Sequence, residues 1–166
     1  MLADLLKDIH RESGSLQLKV FIVNDHSQAD YKKVIKALKG YSHLEYNYAE
    51  SSEHCGKARY WFLIDHVFHM LGREAFDYVI QLPDDIRLTP VFFTEAIRLW
   101  RAVNDPRKAC LNLLNDYGRN GKNIWTGTKI RSLGEVMETG WVDMCYIAER
   151  KFLEALDFKV EKVSEI

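Results

Sequence analysis

Asp77-Tyr78-Val79-Ile80-Gln81-Leu82, closed by Pro83-Asp84-Asp85, is the best strand in the chain and the one from which its fold is read. Aromatic and β-branched residues dominate the run, and the proline cannot continue a hydrogen-bonded ladder. Just upstream, residues 57–71 carry Trp61, Ile64, Phe68 and Leu71 on one helical stripe and Tyr60, Leu63, Val67 and Met70 on the adjacent one. So wide an apolar arc predicts a helix lying against a sheet. Just downstream, Thr89 as N-cap and Pro90 at the first helical position predict a helix reaching Val103.

The same alternation extends in both directions. Residues 2–12 read as a helix and 18–23 as a strand that stops at Asn24-Asp25-His26-Ser27. Residues 28–39 read as a helix ended by Gly40, and 43–48 as a short strand. Further on, 108–114 and 141–147 read as strands and 150–156 as a short helix. No repeat and no long Pro/Gly/Ser linker divides the 166 residues, so one domain spanning 1–166 is expected. Strands alternating with helices imply an α/β sandwich with a mostly parallel sheet.

Composition narrows the function classes. With 47% hydrophobic and 28% charged residues, the chain is neither disordered nor fibrous. Lys plus Arg is 23 against 24 for Asp plus Glu, a net charge of -1, which argues against a nucleic-acid partner. No run approaches the roughly 20 apolar residues of a membrane span, and Met1-Leu2-Ala3-Asp4 lacks the basic start of a signal peptide. A soluble, cytoplasmic or otherwise reducing location is therefore expected. Cys55, Cys110 and Cys145 are odd in number and widely spaced, which suggests reduced thiols rather than a disulfide framework or zinc site.

In open α/β sheets ligands bind beyond the carboxyl ends of the strands, and two of those positions here carry Asp. After Val23, Ser27 and Asp30 have capping-box spacing and are explained by starting the next helix. Asp25 is left over; it could receive hydrogen bonds from a base or sugar edge, or form an Asx turn. After Leu82 come Asp84 and Asp85. With 12 Asp in the chain, chance supplies about one such pair, so position carries the argument. Adjacent acids beside a buried strand end repel unless a cation joins them, and hard oxygen donors suit Mg²⁺ or Mn²⁺. A solvated acidic turn is the plainer alternative.

Weaker signals accompany these. Lys57 and Arg59 begin a helix, where exposed N–H groups and cations together favour a phosphate, although solvation explains them equally well. His54, His66 and His69 lack the spacing of a specific zinc motif. The tract Gly118-Arg119-Asn120-Gly121-Lys122-Asn123-Ile124-Trp125 suits sugar hydroxyls and ring faces, and equally any surface loop.

Three segments in order resemble the family 2-like, GT-A-fold glycosyltransferases. Ile22-Val23-Asn24-Asp25-His26-Ser27-Gln28-Ala29-Asp30 is similar to their V-V-N-D-G-S-x-D stretch. Gly56-Lys57-Ala58-Arg59-Tyr60 is similar to their G-x-x-x-A-R-N helix start, and residues 76–90 to their strand, acidic metal motif and proline-led helix. The resemblance covers about residues 18–105. It implies a Rossmann-like three-layer α/β/α sandwich lacking the family's first strand and C-terminal part. It also implies donor contacts from Asn24, Asp25, Ser27, Lys57, Arg59 and Asp84, with Asp85 and Asp84 as metal ligands. His26 stands where the family has Gly, and Pro83 where another acid is common.

The function so implied is transfer of a sugar from a nucleoside-diphosphate sugar to an acceptor hydroxyl on a glycan or glycoconjugate, with Mn²⁺ or Mg²⁺ as cofactor. Inverting enzymes of this kind need a general base. Asp116 and Asp143 are the candidates, with a strand-end turn and a buried satisfied acid as their structural alternatives. Two rivals make different predictions. A non-catalytic binding or scaffolding domain of the same fold transfers nothing, and a nucleotidyltransferase using the same acidic turn binds a triphosphate and releases pyrophosphate.

Overall fold

The structure is a computed structural model that describes residues 1–38, 43–114, 131–133, 136–138 and 144–160. It is a mixed α/β arrangement. Helix α1 (Leu2–Glu12) leads into strand β1 (Leu18–Asn24), then α2 (Tyr31–Leu38), β2 (Leu44–Glu50), α3 (Gly56–Leu71) and β3 (Tyr78–Gln81). Helix α4 (Phe92–Ala102) follows, then four short strands, β4 (Leu111–Asn112), β5 (Arg131–Leu133), β6 (Val136–Glu138) and β7 (Tyr146–Glu149), and finally α5 (Arg150–Ala155).

The mostly parallel sheet expected from the sequence is realised only in part. Strands β1 and β2 pair in parallel from Leu18 opposite Leu44 to Asn24 opposite Glu50. Strand β7, however, runs antiparallel between β3 and β4, and β5 with β6 forms an antiparallel pair. A pattern of apolar residues specifies a strand without its direction, which depends on the connection before it. Residues 115–130, 134–135 and 139–143 fall outside the described part, and with them the first three residues of the strand expected over 141–147; the described strand starts at Tyr146.

Two element starts also differ from expectation. Thr89 and Pro90 do not open α4, which begins at Phe92 behind Val91 in the left-handed region at φ 56°. The approach is fixed from outside: Glu12 Oε2 accepts the Val91 N–H at 2.7 Å, and the Leu88 N–H donates to Asp8 Oδ2 at 3.1 Å. Helix α2 starts at Tyr31 rather than 28, and its first turn is capped by Asp30, whose Oδ1 accepts the Lys33 N–H at 3.1 Å. Ser27 instead accepts the Ala29 N–H at 3.3 Å, a local turn rather than the expected capping box.

Apolar packing falls into three clusters. The first joins Leu5, Leu6 and Ile9 of α1 to Ile22 of β1, Ile35 of α2, Leu88 and Phe93, with Val20, Ile80 and Leu82 against them. The second joins Phe68 and Leu71 of α3 to Leu153 of α5, with Phe21 and Val79 against them. The third sets Ala96 and Trp100 of α4 on Ile147 of β7. Trp100 is 1% exposed and its indole N–H donates to Glu149 Oε1 at 2.8 Å, so the largest buried side chain carries no orphan donor. Lys108 closes the same helix, donating from Nζ to the Trp100 and Val103 carbonyls, each at 2.7 Å. Of the wide apolar arc expected on α3, Ile64, Val67, Phe68 and Leu71 pack inward. Cys55, Cys110 and Cys145 are free thiols, and no helix among the described residues is long and apolar enough to cross a membrane.

Candidate functional site

The loop after β1 is locked by its own side chains. Asn24 is buried; its Oδ1 accepts the Ser27 N–H at 3.1 Å, and its Nδ2 donates to the Ser27 carbonyl at 3.2 Å and the Tyr48 hydroxyl at 3.0 Å. This folds the chain back within four residues and places His26 at φ 54°. Left-handed backbone suits glycine and is tolerated by His. The residue at which this sequence departs from the G of the resembled motif thus adopts a glycine-favouring conformation. His26 Nδ1 is 3.2 Å from the Ser51 carbonyl, which ties this loop to the end of β2.

Asp25 has a role that spacing alone does not give. Its two carboxylate oxygens receive the N–H groups of Cys55 at 2.6 Å and Gly56 at 2.9 Å, so it caps α3 from thirty residues away. Cys55, at the N-cap position, makes no side-chain cap of its own. Helix N-termini present unpaired donors and partial positive charge, and a carboxylate satisfies both. Gly56 sits at φ 58°, which explains a glycine at the head of the helix. His54 Nδ1 lies 2.9 Å from Asp25 Oδ2, completing the group. Burial raises the Asp25 carboxyl, but the Cys55 and Gly56 amides with His54 beside them outweigh it and hold the group below its ordinary value.

Asn24, Asp25 and Ser27 are therefore brought together with the first turn of α3, which carries Lys57 and Arg59. Lys57 is exposed, while Arg59 is paired with Glu53 at 3.0 Å. Two of the amides at the start of α3, those of Cys55 and Gly56, are already engaged by Asp25.

Asp84 and Asp85 follow β3 through Leu82 and Pro83, and both are exposed. The electrostatic reasoning that asked for a cation supposed burial at the strand end. Two carboxylates in water are screened and need no counter-ion to be tolerated, so that step does not carry over. Among the described residues, no group of three or more His, Cys, Asp or Glu is arranged to hold a metal ion. The turn itself is anchored just beyond the acids. Arg87 donates to Asp8 from Nε at 2.6 Å and Nη2 at 3.0 Å, and Arg11 lies 2.8 Å from Asp8 Oδ1. Arg87 above all, against burial, and then the Leu88 amide and Arg11 hold the Asp8 carboxyl far below its ordinary value.

Asp116, Asp143 and the 118–125 tract lie outside the described residues. His66 and His69 are exposed on α3, and His69 sits 3.3 Å from Asp65. An open cleft of about 600 Å³ is lined by Gly72–Asp77 and Arg150, before β3 rather than after it. Sequence reading missed Asn24 as the lock of the loop, His54 as the partner of Asp25 and Asp8 as the anchor of the acidic turn. Gly56, a glycine at a helix start, marks an amide that Asp25 caps beside His54, and no local spacing marks the other two. The chain matches no protein-family model, no curated protein and no solved structure.

Proposed function

We propose that this chain is a GT-A-type, metal-dependent glycosyltransferase domain that moves a sugar from a nucleoside diphosphate to an acceptor hydroxyl on a glycan or glycoconjugate. The observation that supports this best is the junction at Asp25. It joins Asn24, Asp25 and Ser27 to the helix start bearing Lys57 and Arg59, so two of the three resembled segments share one locality at the carboxyl ends of β1 and β2. The finer fold reading, a three-layer sandwich, draws support from the packing: α1, α2 and α4 share clusters with one set of strand residues, and α3 and α5 with the other.

In this reading the exposed Asp84 and Asp85 offer two adjacent hard-oxygen donors. That set fits Mg²⁺ or Mn²⁺, which take one or two carboxylates and complete their shell with water and diphosphate oxygens. The metal would supply Lewis acidity to the departing diphosphate. Lys57 adds a cation toward the same phosphates, Asn24 and Ser27 hold the loop that faces the nucleoside, and the Asp8–Arg87 pair keeps the acidic turn in place. Asp116 and Asp143 remain the candidates for taking the acceptor proton.

A thermal-shift panel of UDP-, GDP- and CDP-sugars, with and without Mn²⁺, tests the proposal. One diphosphate class is expected to raise the melting temperature only with metal, and Asp85→Ala to abolish the rise. A response that survives chelator and Asp85→Ala removes the acidic turn from the mechanism. No response across the panel favours the non-catalytic binding domain, a reading that the engaged carboxylate of Asp25 already supports.

A further inference from the structure

Two histidines are exchanged between the loops at the carboxyl ends of β1 and β2. His26 of the first loop sets Nδ1 3.2 Å from the Ser51 carbonyl of the second, and His54 of the second sets Nδ1 3.1 Å from the Asp25 carbonyl of the first. The parallel register that puts Asn24 opposite Glu50 brings the two loops side by side. A carbonyl oxygen only accepts, so in each ring Nδ1 carries the hydrogen and the neutral form keeps a lone pair on Nε2. Both residues are exposed, and neither Nε2 has a partner among the described residues. The His54 ring lies over the head of α3, with Nε2 3.4 Å from where a Cβ on Gly56 would stand. Protonation therefore adds a hydrogen at an open nitrogen and breaks neither loop contact.

The charges around this mouth balance when both imidazoles are neutral. Asp25 and Asp30 from the first loop, Glu50 at the end of β2 and Glu53 from the second loop are its four acids. Lys32 and Lys33 of α2 with Lys57 and Arg59 of α3 are its four bases, and Tyr48 and the free thiol of Cys55 complete the titratable set. Every acid is engaged. Asp25 receives the Cys55 and Gly56 amides and His54, Asp30 the Lys33 amide, Glu50 lies 3.7 Å from Lys32 and Glu53 3.0 Å from Arg59. The Lys33 and Lys57 ammonium groups and the two Nε2 atoms are left uncommitted among the described residues. With four acids against four bases, the histidines set the sign of the local field. Imidazoles change charge between about pH 5 and 8, which takes the mouth from neutral to cationic.

We propose that His26 and His54 are proton-coupled anion contacts: protonated at Nε2, they bind the diphosphate of the ligand together with Lys57. This rests on the donor reading given above and adds to it two residues and a pH dependence of donor affinity. His26 is the position at which the chain departs from the resembled motif, so the contact belongs to this sequence rather than to the motif. Asp25 takes the Cys55 and Gly56 amides, so the anion is met by side chains and not by the bare end of α3. The same carboxylate, with Oδ2 2.9 Å from His54 Nδ1, orients that ring. Linkage is reciprocal: a bound diphosphate favours the imidazolium forms, and acid favours binding. Both phosphates of a nucleoside-diphosphate sugar are esterified and keep a constant charge over this range, so only the protein side titrates.

Calorimetric titration of UDP-, GDP- and CDP-glucose at pH 5.5, 6.5 and 8.0, with Mg²⁺ held fixed, tests this. The class that binds should lose about tenfold or more in affinity from pH 5.5 to 8.0. The double variant His26→Asn, His54→Asn should bring that ratio below about threefold. An Asn amide sets an N–H where Nδ1 stood, keeps both loop contacts and suits the left-handed backbone at 26, but does not titrate. Lys57→Ala should weaken binding at every pH and leave the ratio in place. A wild-type ratio below about threefold, or one that persists in the double variant, overturns the histidine contacts while the donor reading stands. If none of the three binds at any pH, the donor reading fails and sulfate, a dianion of constant charge, decides the site by itself. Movement of the His26 and His54 ring-proton resonances on adding sulfate at pH 5.5 then upholds the anion contacts, and unmoved resonances overturn them.

Discussion

Replacing Asp25 tests whether the β1 loop and α3 are one unit. In Asp25→Ala the Cys55 and Gly56 N–H groups lose their acceptor, and Cys55 is buried, so water replaces the carboxylate poorly. Loss of an N-cap costs about 0.5–2 kcal/mol, and an orphaned buried donor adds to it. We expect about 2 kcal/mol, a drop of roughly 4–8 °C in Tm for a domain of this size. Asp25→Asn keeps one acceptor but turns an NH₂ toward the other amide, and should lose about 1 kcal/mol. The acid dependence has a fixed sign. Because folding lowers the Asp25 carboxyl, its contribution is complete above the ordinary carboxylate value and is lost as pH falls through the folded one. Urea unfolding of wild type and Asp25→Asn at pH 7 and at pH 3 should therefore give a gap that narrows in acid. A gap below about 0.3 kcal/mol at pH 7, or one that widens in acid, refutes the capping role.

Two further substitutions read the supports around the acidic turn. Asp8→Asn retains an acceptor for the Leu88 amide but gives up the charge facing Arg87 and Arg11, so urea unfolding at pH 7 should show a loss of about 2 kcal/mol. The Asp8 carboxyl is lowered by folding, so this loss too should shrink below about pH 4; a constant loss would point to packing instead of charge. Val91→Gly should stabilise the protein by about 0.5–1 kcal/mol, because a β-branched residue at φ 56° is strained and Val91, 63% exposed, buries little. A lower Tm for Val91→Gly would show that the turn is held by burial of that side chain.

Element existence was legible because it rests on periodicity, and tertiary direction was not. Residues 2–12 and 18–23 were read nearly as they fold, since α1 buries Leu5, Leu6 and Ile9 and β1 alternates between two cores. The start of α4 was misread because Thr89-Pro90 is a sound local signal overridden from outside by Glu12 and Asp8, residues seventy-nine and eighty positions away. Asp25 is left unexplained by its own helix, but its partner lies thirty residues on, and no local spacing rule reaches that far. The antiparallel course of β7 depends on the connection before it, and short apolar runs carry no sign of direction.

The exposure of Asp84 and Asp85 changes what the acidic turn can do, and it yields the sharpest test of the proposed chemistry. Buried acids would form a standing metal site, whereas two solvated carboxylates attract a cation at high dielectric, where each contact is worth about 1 kcal/mol. Neither acid has a further acidic, His or Cys ligand within a cluster among the described residues. On the proposed chemistry, diphosphate oxygens would complete the shell, and metal and donor binding would be coupled. Coupling is reciprocal, so millimolar Mn²⁺ alone should shift Tm by less than about 1 °C, the free donor should bind weakly, and each should tighten the other by the same factor, about tenfold or more. Calorimetric titration of Mn²⁺ with and without the stabilising nucleoside diphosphate measures that factor. Tight stoichiometric Mn²⁺ binding without nucleotide, abolished by Asp85→Ala, would mean that the turn closes into a preformed site. A coupling factor near one, with Mn²⁺ affinity unchanged by the nucleotide, would show that the ion and the nucleotide do not share a site.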